Sequence, residues 1–195
     1  MDKGRLEAFS DGVIAVIITI MVLDMKPPHG LDLHAMTTLA PVFAAYVLSF
    51  VFVGIYWNNH HHLLQGAEYV DGRALWANLF LLFWLSLVPF ATAWMGETHG
   101  AAIPTATYGV VLLGSAIAFM LLLGALIACN GADSALARAT GDNRKGKLSI
   151  ALYVLAVAAA FYVTWISEAL FVCVSLMWLV PDKRIERALA SDERT

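Results

Sequence analysis

The sequence predicts an all-α membrane protein with six transmembrane helices. Three observations predict it. First, 60% of the 195 residues are hydrophobic and only 14% are charged, with a mean hydropathy of +0.72. A soluble domain carries about 25% charged residues and keeps much of its surface wet, so this apolar excess has no soluble use. Second, apolar runs of spanning length, about 20 residues, recur along the chain. Third, the cations alternate with those runs as an even number of crossings requires.

The first helix is predicted over 4–25. Its clean apolar run, 13–23, is too short to span alone. It spans only if the helix starts near Gly4 and carries Arg5, Glu7, Ser10 and Asp11 towards the membrane, and Lys26, Pro27 and Pro28 end it. The early Arg5, Glu7 and Asp11 also argue against a cleavable signal peptide. The second helix is predicted over 37–64 and the third over 72–96, with Pro89 as a tolerated kink. The fourth is predicted over 101–129, with Pro104 near its first turn, where proline is accepted. The last apolar stretch, 148–180, has 33 residues, too many for one span and few for two. Thr164 to Glu168 interrupts it. Ser167 followed by Glu168 reads as a helix N-cap with an acid in the first turn, which predicts a hairpin of helices 148–163 and 167–180.

Charge tests that hairpin. With six crossings, eleven of the twelve Lys and Arg residues fall on one side and only Lys26 on the other. Five crossings would move Lys183, Arg184, Arg187 and Arg194 across. The positive-inside asymmetry therefore predicts a multi-pass protein of the cell membrane with both termini cytoplasmic. It places Trp94 and Trp165 at the outer interface, and Trp57, Trp76 and Trp178 near the inner one. The polar segment 130–147 reads as a cytoplasmic loop. Residues 1–195 form a single six-helix domain, and a unit this small is expected to be an oligomer subunit. Cys129 and Cys173 read as buried, reduced thiols.

No enzyme is expected. The chain lacks an HExxH pattern, a Walker loop and an intramembrane Ser–His pair. Thr107 to Val110 is not the TVGYG filter, so Tyr108 and Gly109 read as packing residues. His60, His61 and His62 are consecutive and point in different directions on a helix, and no Cys or carboxylate completes a metal spacing. No metal, cofactor or nucleic-acid partner is expected. The first helix is the informative one. Val16, Thr19, Ile20 and Leu23 share a narrow stripe at 100° per residue, and Asp11 lies about 140° around from Val16. That stripe fits a pore lining, and it equally fits ordinary helix packing. The topology brings Arg5, Ser10, Asp11, a histidine, Trp76 and Asn78 to one depth, as a buried hydrogen-bond cluster or a solvated helix end.

Arg5, followed by Phe9-Ser10-Asp11-Gly12-Val13 and then Ala15 and Thr19, resembles the signature of the transmembrane protein 175 family, the endosomal and lysosomal potassium channels. Trp57, His60 and His61, then Trp76, Asn78, Pro89 and Phe90, and finally Trp178, Pro181 and Asp182, extend the resemblance over the whole chain, in the prokaryotic form with one six-helix repeat. The resemblance implies a homotetramer with the first helices around a central pore, in the lipid bilayer, passing potassium and other monovalent cations without a glycine-rich filter. By that resemblance the constriction falls on Val16, Ile20 and Leu23, and cation preference on Thr19. Val16 departs from the larger Ile or Leu common there. The resemblance also implies a structural cluster of Arg5, Phe9, Ser10, Asp11, His61, Trp76 and Asn78, with the choice among His60, His61 and His62 open. The expected function is a leak-type potassium channel that also passes protons. The alternative is a small carrier, or a scaffold holding a cofactor through His60–His62.

Overall fold

The computed structural model describes residues 3–28 and 33–179. Val180, Pro181, Asp182 and the cations Lys183, Arg184, Arg187 and Arg194 lie outside them. Among the described residues the chain is helical throughout: α1 (Lys3–Leu23), α2 (Leu33–Thr38), α3 (Ala40–Gln65), α4 (Gly72–Ser86), α5 (Val88–Glu97), α6 (Ala102–Asn130), α7 (Ala135–Thr140), α8 (Arg144–Ala159) and α9 (Thr164–Leu179). Hydrocarbon offers the backbone no hydrogen-bond partner, so apolar runs of this length satisfy it internally as helices. Four stretches are long and apolar enough to cross a membrane: Lys3–Leu23, Ala40–Gln65, Gly72–Glu97 and Ala102–Asn130. α8 and α9 are shorter, at 16 residues each.

Several boundaries differ from those expected, each for a local reason. The third predicted helix is broken at Leu87 into α4 and α5. Pro89 stands at the start of α5, lacks an N–H and crowds the preceding turn. The Leu87 amide turns to Trp84 O, a tighter i−3 bond. The second predicted helix likewise divides at Leu39, two residues before Pro41. The 130–147 loop contains α7, capped by Ser134, whose hydroxyl accepts from the Ala137 amide. The terminal hairpin turns four residues early. Asn143 caps α8 through Gly146 N, and α9 begins at Thr164. The N-cap reading of Ser167 is therefore corrected: it is buried inside α9 and donates to Ala156 O of α8 at 2.7 Å. The thiols are corrected too. Cys173 is exposed and Cys129 half-buried, both free, because their helix faces point away from the bundle.

α6 is the hub, packed against α4, α5, α8 and α9. Small residues let helices approach closely where no hydrophobic drive acts between them. A Cβ on Gly114 would overlap the Trp84 ring of α4, and one on Gly109 would sit 2.8 Å from Val157 Cγ2 of α8. Tyr108, fully buried, also packs the interior and shares a 2.9 Å hydrogen bond with Ser49 of α3. Ser49 is 2.7 Å from Thr92 of α5, whose hydroxyl also reaches Val88 O at 2.7 Å. Each hydroxyl has one proton, so the chain that satisfies all of them runs Tyr108 to Ser49 to Thr92 to Val88 O. At the other end of α6, Asn130 accepts from the amides of Glu68 and Tyr69 and donates to Tyr69 O. That clamp anchors the α3–α4 loop. Between α7 and α8, hydrogen bonds from Lys147 and then Arg144 hold the Asp142 carboxyl below its ordinary range. These groups are exposed, so the pairs contribute little to stability.

Candidate functional site

α1 packs on α3, α4 and α5 through one stripe, and its three faces differ in chemistry. Leu6, Ser10, Ile14, Ile17 and Met21 are buried, at spacings of three and four that keep them on one side. Val16, Ile20 and Leu23 are turned away and are 54%, 42% and 79% exposed. These three line an open groove of about 1010 Å³ whose far wall includes Pro89, Phe90 and Ala93 of α5. Asp24, Lys26 and Glu97 close one end, where Lys26 lies 3.8 Å from Glu97. Thr19 is exposed beside this stripe and donates to Val16 O at 2.9 Å. Its one proton is thereby taken, and its oxygen lone pairs remain open to the exposed side.

The third face is polar. Lys3, Glu7 and Asp11 are spaced by one turn each and meet α3 running the other way. Lys3 Nζ donates to Ala67 O at 3.0 Å. Glu7 pairs with His61 Nδ1 at 3.1 Å, and Asp11 accepts from the Trp57 indole N–H at 2.9 Å. Trp57 and His61 stack with centroids 6.0 Å apart. Deeper inside, Asn78 of α4 donates to Ser10 Oγ at 2.9 Å, and its carbonyl oxygen lies 2.8 Å from His60 Nε2. An amide oxygen only accepts, so His60 Nε2 carries the proton. Ser10 passes its own proton to Leu6 O at 2.9 Å. Ser10, His60 and Asn78 are all 0% exposed.

The expected cluster is thus redistributed. Ser10, Asp11, His61 and Asn78 sit on the contact between α1 and its neighbours. Arg5, Phe9 and Trp76 do not: Arg5 is exposed, Phe9 is 54% exposed and lines the α1 groove, and Trp76 is 75% exposed. Helix periodicity explains this. Arg5 is about 120° around from Asp11, and Trp76 about 160° from Asn78. Asp11 therefore takes its partner from Trp57 and not from Arg5. The histidines divide: His60 turns to Asn78, His61 to Glu7, and His62 to a separate groove. No group of three potential metal ligands occurs among the described residues. Glu7 and Trp57 join His61 and Asp11 in a polar ladder between α1 and α3. The matching i, i+4 spacing of Glu7 and Asp11 with Trp57 and His61 was the available signal.

Replacing Asp11 tests the ladder. Asp11→Asn keeps an acceptor for Trp57 and is expected to be near neutral. Asp11→Ala removes it, at a cost of about 1 kcal/mol, within the range of polar contacts between membrane helices. Thermal melts in detergent of Asp11→Ala, Trp57→Phe and the pair measure the coupling. Additive losses, or equal damage from Arg5→Gln, would remove the Asp11–Trp57 bond as the cause.

The chain has relatives among known proteins. The family model described as the endosomal/lysosomal potassium channel TMEM175 matches residues 5–89, the stretch that holds most of α1, the Glu7–His61 and Asp11–Trp57 contacts and Pro89. A potassium channel of Chryseobacterium sp. is 52% identical over 97% of this chain and 98% of its own length. The chain belongs to the TMEM175 family. A potassium channel of Chamaesiphon minutus is 31% identical over 85% of this chain and 88% of its own. The crystal structure of a lysosomal potassium-selective channel TMEM175 homolog from that organism superposes with a TM-score of 0.78 at 28% identity, covering 91% of this chain and 96% of that one. The human endosomal/lysosomal proton channel TMEM175 is 37% identical over 32% of this chain, which spans 15% of its length. TMEM175 proteins are membrane ion channels, so this chain is an ion-transport protein and not an enzyme.

Proposed function

We propose that this chain is a leak-type, potassium-selective channel of the cell membrane, formed by four copies with α1 of each around the pore. The observation that carries the reading is the apolar stripe of Val16, Ile20 and Leu23, exposed on a helix that buries its other apolar side. Its near-full-length bacterial relatives named as potassium channels support the choice of ion. Four such stripes form a dewetting constriction, and ions cross it when the rings separate. Thr19, with its proton held by Val16 O, supplies oxygen at the narrow path. Protons are a further permeant species, as the names of the vertebrate relatives suggest.

Each subunit crosses six times, with α8 and α9 as the last two spans and both termini cytoplasmic. The eleven-to-one cation asymmetry supports that topology. Reconstitution into vesicles tests the function: potassium flux is expected to exceed sodium flux, with a measurable proton leak. Equal potassium and sodium flux would remove the selectivity, and no flux at all would remove the channel. Single cysteines placed at 133 and after Pro181 test the topology in a background without Cys129 and Cys173. Both are expected to be labelled only from the cytoplasm. Labelling from opposite faces would leave five crossings.

A further inference from the structure

The groove of α1 does not stop at Val16. Phe9 and Gly12 line it as well, nearer the start of the helix. Helix geometry keeps both on the stripe. Phe9 lies about 20° around from Val16, and Gly12 about 40° around on the other side. Arg5, one turn before Phe9, is exposed but does not line the groove. Phe9 is thus the last large apolar side chain of the stripe at that end. It is 54% exposed, the same as Val16. Like Val16, Ile20 and Leu23, it belongs neither to the buried core nor to the apolar side chains packed against it. Gly12 is the second observation. Glycine weakens a helix interior relative to alanine, and close packing of a neighbouring helix is a common compensation. Gly109 and Gly114 have that compensation within the chain, from Val157 and Trp84. Gly12 does not: a Cβ there would meet no atom within 4 Å, and the space left by its missing side chain belongs to the groove.

We propose that Phe9 forms a fourth apolar ring of the pore, the first that an ion meets from the cytoplasm, and that Gly12 opens a water-holding chamber between this ring and Val16. The proposal rests on the reading of α1 as the pore helix with a cytoplasmic N-terminus. Seven residues separate the two rings by about 10 Å along the helix. An ion at the level of Gly12 therefore keeps water above and below it. It sheds that water only on entering the dry stretch from Val16 to Leu23, where no replacement ligand but Thr19 is at hand. The Phe9 ring sets how readily water and ions reach the chamber, and the missing side chain of Gly12 sets its width.

The test uses the full-length channel in planar bilayers, in a background without Cys129 and Cys173. A cationic methanethiosulfonate reagent is added on the cytoplasmic side. Block of the potassium current is expected at Phe9→Cys and at Gly12→Cys. Trp76→Cys, exposed outside the groove, is expected to be labelled without block. Phe9→Ala, combined with Gly12→Cys, is expected to speed the modification about tenfold, as removal of an apolar barrier does. Phe9→Leu keeps an apolar ring and is expected to change that rate little. Native mass spectrometry follows the oligomer of each variant, which is expected to stay intact. An unchanged modification rate in Phe9→Ala would mean that no ring guards the chamber, and would overturn the proposal. Unreactive cysteines at 9 and 12, with an oligomer that dissociates in Phe9→Ala, would mean that both positions pack against a second copy, with the same consequence. Phe9→Cys decides alone if Gly12→Cys does not assemble. Block at Ile20→Cys and Leu23→Cys without block at 9 or 12 would overturn this proposal and leave the pore reading standing. Block at none of the four would remove the pore reading itself.

Discussion

Replacing Ile20 or Leu23 with asparagine is expected to raise cation flux on the order of tenfold, equivalent to a barrier lower by about 1.4 kcal/mol. Preference for potassium over sodium is expected to fall at the same time. An apolar ring resists an ion because the ion must shed water and meets no replacement ligand. Asparagine supplies an oxygen and two N–H donors at the same position and lets water stay. Neither residue is needed for packing within the chain, since Ile20 is 42% and Leu23 79% exposed. Fold loss is therefore a weak competitor to the pore explanation. Thr19→Val serves as the opposite change. It removes the oxygen whose proton is committed to Val16 O, and is expected to lower current or selectivity.

Met21 is the internal control. It is 3% exposed and faces the bundle, one residue and 100° away from Ile20. Met21→Leu conserves volume, and its effect is expected on stability, below about 1.5 kcal/mol, and not on permeation. Cysteines at 16, 20 and 23 are expected to be blocked by a small thiol reagent from the water side, and a cysteine at 21 is not. Equal block at all four positions, or at none, would show that α1 does not line the path.

The spans were legible because hydrocarbon imposes a simple rule. A run of about 20 apolar residues must be helical to satisfy its own backbone. The runs around Val53, Leu82 and Leu122 follow it, and these residues are the dry centres of α3, α4 and α6. What was not legible was where helices break within a run. Leu87 and Leu39 look like any other apolar residue, and the interruption depends on how the preceding turn yields to Pro89 and Pro41. The hairpin shows the reverse error. Thr164 to Glu168 looks like a turn by composition. In the fold, Ser167 finds its acceptor on Ala156 across the helix pair, which local sequence does not display.

Site legibility followed the same division. The stripe on α1 came from periodicity alone, and Val16, Ile20 and Leu23 share one groove. The polar cluster came from depth, and depth does not specify azimuth. Arg5 and Trp76 lie at the expected level but on other faces, whereas Glu7 and Trp57 lie on the contact. Choosing His60 over His61 for the buried network required knowing which side of α3 faces Asn78. The Tyr108–Ser49–Thr92 chain joins three helices by hydroxyls that, read singly, are ordinary membrane-helix residues.

Asn78→Leu is expected to be the most damaging single change in the ladder region, at about 2 kcal/mol. Asn78 is the only link between His60 and Ser10 in the bonds described, and all three are closed to water. Leucine keeps the volume, so the loss is electrostatic. His60 Nε2–H would have no acceptor, while its Nδ1 already lacks a partner among the described residues. Ser10 suffers less, because its own proton still reaches Leu6 O. Hydrogen bonds between membrane helices are worth only about 0.6 kcal/mol on average, since separated helices find other partners. The larger figure is expected because a stranded buried donor costs more than a made bond gains. That asymmetry supplies the decisive comparison. Removing the whole network, as Ser10→Ala, His60→Leu and Asn78→Leu together, is expected to recover more than half of the loss in thermal melts. Ser10→Ala alone is expected to cost less than about 1 kcal/mol. If the triple variant melts no higher than Asn78→Leu, packing around α4 is the cause, and the chain from His60 to Leu6 O is incidental.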